Sequence, residues 1–210
     1  MIDVFVTAKE SERFPGKNGL LWRFTEAWLA AEAGAAREGV RVWFAGDVPD
    51  GVRLPRWWRA LDLRAADHHA LQQEMEREVL RRRSCEMPVF VLAQLTQPLR
   101  RRGLLEEVAA AARGFGAAAT YCAGRLDGWR RVSADGWGEH ADERGLLMDG
   151  ALFAWRPGRM NDSWRARVPW SRRGLVCNYA GPVVDVDERG DLPGWLDAAW
   201  AGLMLGRRAI

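Results

Sequence analysis

Lysine is almost missing from this chain. Only Lys9 and Lys17 interrupt an otherwise all-arginine set, so 29 of its 31 basic residues are Arg. Those arginines are interspersed with 28 acids, leaving a net charge of +3, and form no long basic block. That pattern argues against nucleic acid as the main partner, while a modest positive charge suits a small anionic substrate. No run of about 18 apolar residues occurs, which leaves no candidate membrane helix. The three cysteines, Cys85, Cys122 and Cys177, are odd in number and far apart. They exclude a disulfide framework and a thiolate zinc site, and suit a reducing compartment. The N-terminal Met1-Ile2-Asp3-Val4-Phe5-Val6 has no basic stretch ahead of its apolar residues, so it reads as a first strand and not a signal peptide. The expectation is a cytoplasmic protein.

What is present reads as one α/β domain spanning all 210 residues. No internal repeat, low-complexity tract or linker divides it. Apolar runs at 2–7, 40–45, 88–95 and 117–122 predict strands. Helical spacing at 20–37, 67–83 and 104–113 predicts the helices between them. This alternation implies a mostly parallel sheet covered on both faces, a Rossmann-like three-layer arrangement. A further strand is expected at 151–155, extended chain at 175–184, and a closing helix at 192–205. Segment 123–147, dominated by Gly, Asp, Arg and Trp, reads as an excursion from the sheet. The 12 tryptophans are read as packing residues in preference to a stacking platform for bases.

In such a sheet, ligands bind beyond the carboxyl ends of the strands. The loop after the first strand runs Thr7-Ala8-Lys9-Glu10-Ser11-Glu12-Arg13-Phe14-Pro15-Gly16-Lys17-Asn18 and holds both lysines. Cations, a hydroxyl, an amide and a glycine just before a helix can cradle phosphate. The spacing is neither that of a P-loop nor that of a dinucleotide fingerprint. A solvated loop with a Pro-Gly turn is the plainer alternative. Near the other end, Asp185 and Asp187 stand two apart after an apolar run, which places both carboxylates on one side of an extended segment. Hard oxygen ligands so paired suit Mg²⁺ carrying substrate phosphates, although a lone Asp-x-Asp is more commonly a solvated turn.

Segment 11–18 resembles the S-K-R-I-P-G-K-N signature of the cytidylyltransferases that activate acidic sugars, the CMP-sialic acid synthetases and their relatives. Gln94-Leu95-Thr96-Gln97-Pro98-Leu99-Arg100 is similar to that family's Q-P-T-S-P-L-R, departing at Leu95 and Gln97. Val184-Asp185-Val186-Asp187 is similar to I-D-I-D, and Met148-Asp149-Gly150-Ala151-Leu152-Phe153 looks like the strand N-G-A-I-Y. The resemblance runs in the family's order from residue 2 to about 205. It implies a nucleotidyltransferase fold and transfer of CMP from CTP to an acidic sugar, nonulosonic- or Kdo-like, with release of pyrophosphate.

By the same resemblance, Lys17 contacts phosphate, with Ser11 and Asn18 lining the nucleotide site beside Arg13. The family opens this loop with an arginine; Ala8 stands there in an ungapped match, and Lys9 takes the role if the loop is one residue shorter. Arg64 is a candidate contact to the base. Gln94, Thr96, Arg100 and Asp149 are the candidate sugar contacts, and Asp185 and Asp187 the Mg²⁺ ligands. An aspartate at 149, where relatives carry asparagine, would repel a sugar carboxylate. Asp67-His68-His69-Ala70 replaces the small hydroxyl residues that read cytosine in relatives. These departures keep two other readings open: a nucleotidyltransferase with another nucleotide or acceptor, and an inactive binding homologue. Relatives dimerise through an arm inserted before the N-G-A-I-Y strand, which points to 123–147 as a homodimer contact.

Overall fold

The computed structural model describes residues 1–8, 15–37, 39–65, 67–82, 87–97, 100–122, 147–164 and 174–179. In chain order these form β1 (Ile2–Ala8), α1 (Lys17–Ala35), β2 (Val40–Gly46), β3 (Trp58–Ala60), α2 (His68–Arg81), β4 (Val89–Ala93), α3 (Leu104–Phe115), β5 (Ala117–Cys122), β6 (Leu147–Trp155), α4 (Met160–Trp164) and β7 (Gly174–Tyr179). They build a seven-stranded sheet in the order β3-β2-β1-β4-β6-β5-β7. The pairs β1–β2, β1–β4, β2–β3 and β5–β7 are parallel; β6 runs antiparallel to both β4 and β5. The α/β class and the mostly parallel sheet are as the apolar runs predict.

Alternation along the strands divides the core into two layers. Ile2, Val4 and Val6 face α1 and α3, packing with Trp22, Leu29, Leu104 and Val108. Phe5 faces the other way with Trp43, Phe90 and Trp155, against Leu71, Met75 and Val79 of α2. Phe5 stacks on Phe90 at 5.1 Å between ring centroids, and Trp155 meets Phe5 edge-on at 5.9 Å. Trp22, Trp43 and Trp155 are fully buried, so the described tryptophans serve the core as expected; Trp57, exposed just before β3, is the exception.

Several elements differ from the sequence expectation. Helix α1 begins at Lys17, three residues before the predicted Leu20, because Gly16 adopts a left-handed N-cap at φ 80° and lets the turn start sooner. The three-residue β3 is too short to show periodicity. Strand β6 starts at Leu147, its apolar pattern interrupted by Asp149 and Gly150. The short α4 is not among the predicted helices. The predicted helix at 192–205 and the excursion at 123–146 lie outside the described residues.

Buried carboxylates fasten helices to the frame. Glu32 of α1 accepts from the backbone N–H of Gly103 (2.8 Å) and Leu105 (3.0 Å), capping the start of α3, whose own N-cap is glycine. Glu76 of α2 accepts from Trp155 Nε1 and from the Gly158 N–H, both at 2.7 Å. Asp67 caps α2 by accepting from the Ala70 N–H at 2.7 Å. Among the described residues, no helix is long and apolar enough to cross a membrane.

Candidate functional site

The carboxyl ends of β1, β2 and β4 lie at one end of the sheet. Because β6 is antiparallel, its amino end comes to the same place: Ala93 pairs with Leu152, so Asp149 and Gly150 reach past the last residue of β4. Strands β5 and β7 finish there at Cys122 and Tyr179. The sequence candidates that fall on described residues gather at this end, on its two sides.

On the first side, β1 and β2 close tightly. Gly46 has φ 115°, and a Cβ there would lie 2.0 Å from the Ala8 carbonyl oxygen. The Asp47 N–H donates to that oxygen at 3.2 Å. Helix α1 starts beside this closure. Its N-cap, Gly16, has no side chain to cap it and no acid sits in its first turn, an arrangement that suits an anion at a helix N-terminus. Lys17 and Asn18 occupy that first turn and are buried, at 7% and 5% exposure. Expected as loop residues, they are therefore held on a helix. Lys9, Ser11 and Arg13 lie outside the described residues. Arg64 is exposed in the segment that follows the carboxyl end of β3.

On the second side, β4 ends in a turn in which the Gln97 N–H donates to the Gln94 carbonyl at 3.3 Å. Arg100 braces this turn from below. Its Nε donates to the Ala151 carbonyl at 3.2 Å and one terminal nitrogen donates to Thr25 Oγ1 at 3.1 Å. The other terminal nitrogen donates to the Gln94 carbonyl, and the guanidinium lies 5.1 Å over the Trp28 ring. Burial pushes the Arg100 pKa down to about 9, with the charge of Asp149 opposing the fall. The resemblance makes Arg100 a sugar contact; in the fold its donors tie β4 to β6 and α1.

Asp149 is equally engaged. Its Oδ1 accepts from Thr120 Oγ1 at 2.5 Å and from the Ala151 N–H at 2.9 Å. Its Oδ2 accepts from Asn178 Nδ2 at 2.8 Å. All three side chains are buried, and together they join β6, β5 and β7 where those strands reach the site. Next to Asp149, Gly150 has φ 68°, and a Cβ there would meet Gln94 Oε1 at 3.3 Å and Gln97 Cγ at 3.7 Å. Both glutamines thus lie against the amino end of β6. Gln97 is 5% exposed, while Gln94 and Thr96 are half-buried.

Sequence reasoning missed Thr120, Asn178 and Gln97 as site residues. Thr120 and Asn178 are single polar residues in apolar strand runs, and that interruption was the available signal. Gln97 was noticed only as a departure from the family pattern.

Asp185 and Asp187 lie outside the described residues. Among the described residues no cluster of His, Cys, Asp and Glu could hold a metal. Asp149 does not suit that role, since protein donors engage both of its oxygens.

No protein-family model matches this chain, and no curated protein matches it either. Solved structures do. The chain is similar to 2-C-methyl-D-erythritol 4-phosphate cytidylyltransferase from Thermus thermophilus, at 18% identity over 91% of this chain and 95% of that one, with TM-score 0.53. It is similar to CMP:2-keto-3-deoxy-manno-octonic acid synthetase complexed with CTP, at 14% identity over 99% and 100%, TM-score 0.56. A Mycobacterium tuberculosis protein in complex with manganese is 14% identical over 93% and 97%, TM-score 0.50. At these identities the likeness is one of fold. The chain has the α/β fold on which these cytidylyltransferases are built.

Proposed function

We propose that this chain is a cytidylyltransferase: it transfers CMP from CTP to a hydroxyl of a sugar-like acceptor and releases pyrophosphate. The observation that carries the reading is the placement of Lys17 and Asn18 in the first turn of α1, next to the Ala8–Gly46 closure. A buried lysine at a helix N-terminus stabilises phosphate charge more strongly than one in water does.

In this reading the acceptor oxygen attacks the α-phosphorus in line. The new O–P bond forms as the bond between the α-phosphorus and the bridging oxygen breaks, and pyrophosphate carries away the negative charge. Lys17 stabilises that charge, helped by Lys9, Ser11 and Arg13 of the preceding loop; Arg64 reaches for the base. Gln94 and Thr96 line the acceptor side, which Arg100 and Asp149 hold in shape. Mg²⁺ on Asp185 and Asp187 would neutralise phosphate charge. Most of the catalysis is positioning and electrostatics.

The family resemblance names an acidic sugar as acceptor, and the manganese and CTP complexes of structural neighbours are in keeping with a metal and this nucleotide. A second reading keeps the chemistry and changes the nucleotide; it is favoured by Asp67-His68-His69-Ala70 in place of the small hydroxyls that read cytosine in relatives. Thermal shift with each of the four ribonucleoside triphosphates and Mg²⁺ separates the two. CTP should raise the melting temperature most, whereas a larger shift with UTP or GTP favours the second. Asp187→Ala should abolish pyrophosphate release with the fold intact, and full activity in that variant would refute the metal assignment. If no nucleotide supports Mg²⁺-dependent pyrophosphate release, the chain is an inactive homologue.

A further inference from the structure

Three arginines from three elements converge on one tryptophan. The guanidinium carbons of Arg41, Arg59 and Arg82 lie 6.0, 5.2 and 5.9 Å from the centroid of the Trp43 ring. Asp3 of β1 stands opposite Arg41 of β2, and Arg59 of β3 opposite Trp43, so alternation puts all four on one face of the sheet. Arg82 ends α2, the helix that covers this face. Helix α1, with Lys17, packs on the other face.

Stacking on an aromatic ring holds a guanidinium by its face and leaves its N–H edge for other partners. Those edges are largely uncommitted here. Arg41 donates through Nε to Asp3 at 3.0 Å, and Arg82 through Nε to Glu78 at 2.7 Å. Among the described residues, no oxygen accepts from the terminal nitrogens of either, and none accepts from the Arg59 guanidinium. Arg100, by contrast, spends all three of its nitrogens on protein oxygens. The charge balance points the same way. Arg81 shares Glu78 with Arg82, so four guanidiniums stand against two carboxylates, Asp3 and Glu78. The negative end of α2 accounts for a positive charge at Arg82, but not for Arg41 and Arg59, which strands carry.

We propose that Arg41, Arg59 and Arg82 bind a small inorganic oxyanion of the phosphate class, which bridges β2, β3 and α2. A tetrahedral oxyanion presents several acceptor oxygens, and the forked N–H donors of a guanidinium engage them two at a time. Its charge also offsets the repulsion among the three cations. Arg59 and Arg82 are exposed and Arg41 is half-buried, so the anion reaches them from solvent. The site does not rest on the cytidylyltransferase reading, since its residues lie on the face away from Lys17.

The test is calorimetric titration of inorganic phosphate, and separately of pyrophosphate, into the full chain at constant ionic strength. It is run on the parent and on Lys17→Ala, which removes the cation at the start of α1. Lys17→Ala should still bind at least one of the two anions saturably. On that background, Arg59→Gln and Arg82→Gln should each weaken binding by about tenfold. Arg156→Gln removes the same charge at an exposed position outside the cluster and should bind as Lys17→Ala does. A second readout needs no arginine variant. The ¹⁵N indole signal of Trp43, assigned through Trp43→Phe, should move with the anion at the calorimetric midpoint. The proposal is overturned if neither anion binds Lys17→Ala saturably, or if Arg59→Gln and Arg82→Gln bind undiminished. It is also overturned if Arg156→Gln loses as much as they do, which would mean general surface charge, or if the Trp43 signal stays still. Displacement of phosphate by a short RNA at equal phosphate concentration would identify a polyanion surface and overturn it too.

Discussion

The two sides of the site hold their charged residues on different frames. At the start of α1, Lys17 is buried in the first turn of a helix whose N-cap is glycine. At the end of β4, Arg100 and Asp149 are tied into hydrogen bonds that join strands. Matching residues can therefore mean different things. On the first side the resemblance coincides with a helix start, which we propose holds phosphate. On the second it coincides with side chains that join strands.

The sharpest way to break this contrast is at the closure that shapes the first side. Gly46→Ala puts a methyl group into the Ala8 carbonyl at a left-handed φ, so the variant should lose about 3 kcal/mol or more of stability or fail to fold, as read by chemical denaturation. A stable, unaltered variant would show that β1 and β2 do not close this tightly. The next effect tests which side Arg100 serves. Arg100→Lys cannot reproduce three divergent hydrogen bonds, and should cost roughly 2–3 kcal/mol of stability while leaving CTP affinity within about twofold. Loss of binding with stability unchanged would make Arg100 a ligand contact and erase the distinction. On the same side, Gly150→Ala strains a left-handed position and should cost about 1 kcal/mol, with a thermal melt reporting the change.

The smallest effect lies far from both sides and serves as a control. Asp3, at the amino end of β1, accepts from Trp43 Nε1 at 2.9 Å and Arg41 Nε at 3.0 Å. Burial nevertheless raises its pKa, outweighing those two partners. A raised folded pKa means that the carboxyl's contribution to stability is full at low pH and is lost as pH rises through that value. Asp3→Asn should flatten this dependence, so that its melting temperature gains on the parent as pH rises above about 4. CTP binding should be unaffected.

Much of the frame was legible because long apolar runs reveal strands regardless of their neighbours. Ile2–Ala8, Val89–Ala93 and Ala117–Cys122 came through in that way. The short β3 did not, since three residues carry no period and its pairing with β2 is decided by tertiary contact. Lys17 and Asn18 were legible as candidates from their motif, but their helical setting depended on the backbone angle of Gly16. For Arg100 and Asp149 the position was legible but the protein partners were not. Sequence shows a charge and its position, yet whether a ligand or the protein answers that charge depends on Thr25, Thr120, Ala151 and Asn178, which only folding brings near. Glu32 capping a helix that begins about seventy residues later was invisible for the same reason.

We propose that the start of α1 holds the phosphates of CTP. Calorimetric titration of CTP with Mg²⁺ into the parent chain and into Lys17→Ala tests it most directly. Binding to the parent should be saturable and tighter than that of UTP, and the variant should lose roughly 100-fold in affinity with its melting temperature preserved. Equal CTP affinity in the two proteins would contradict it.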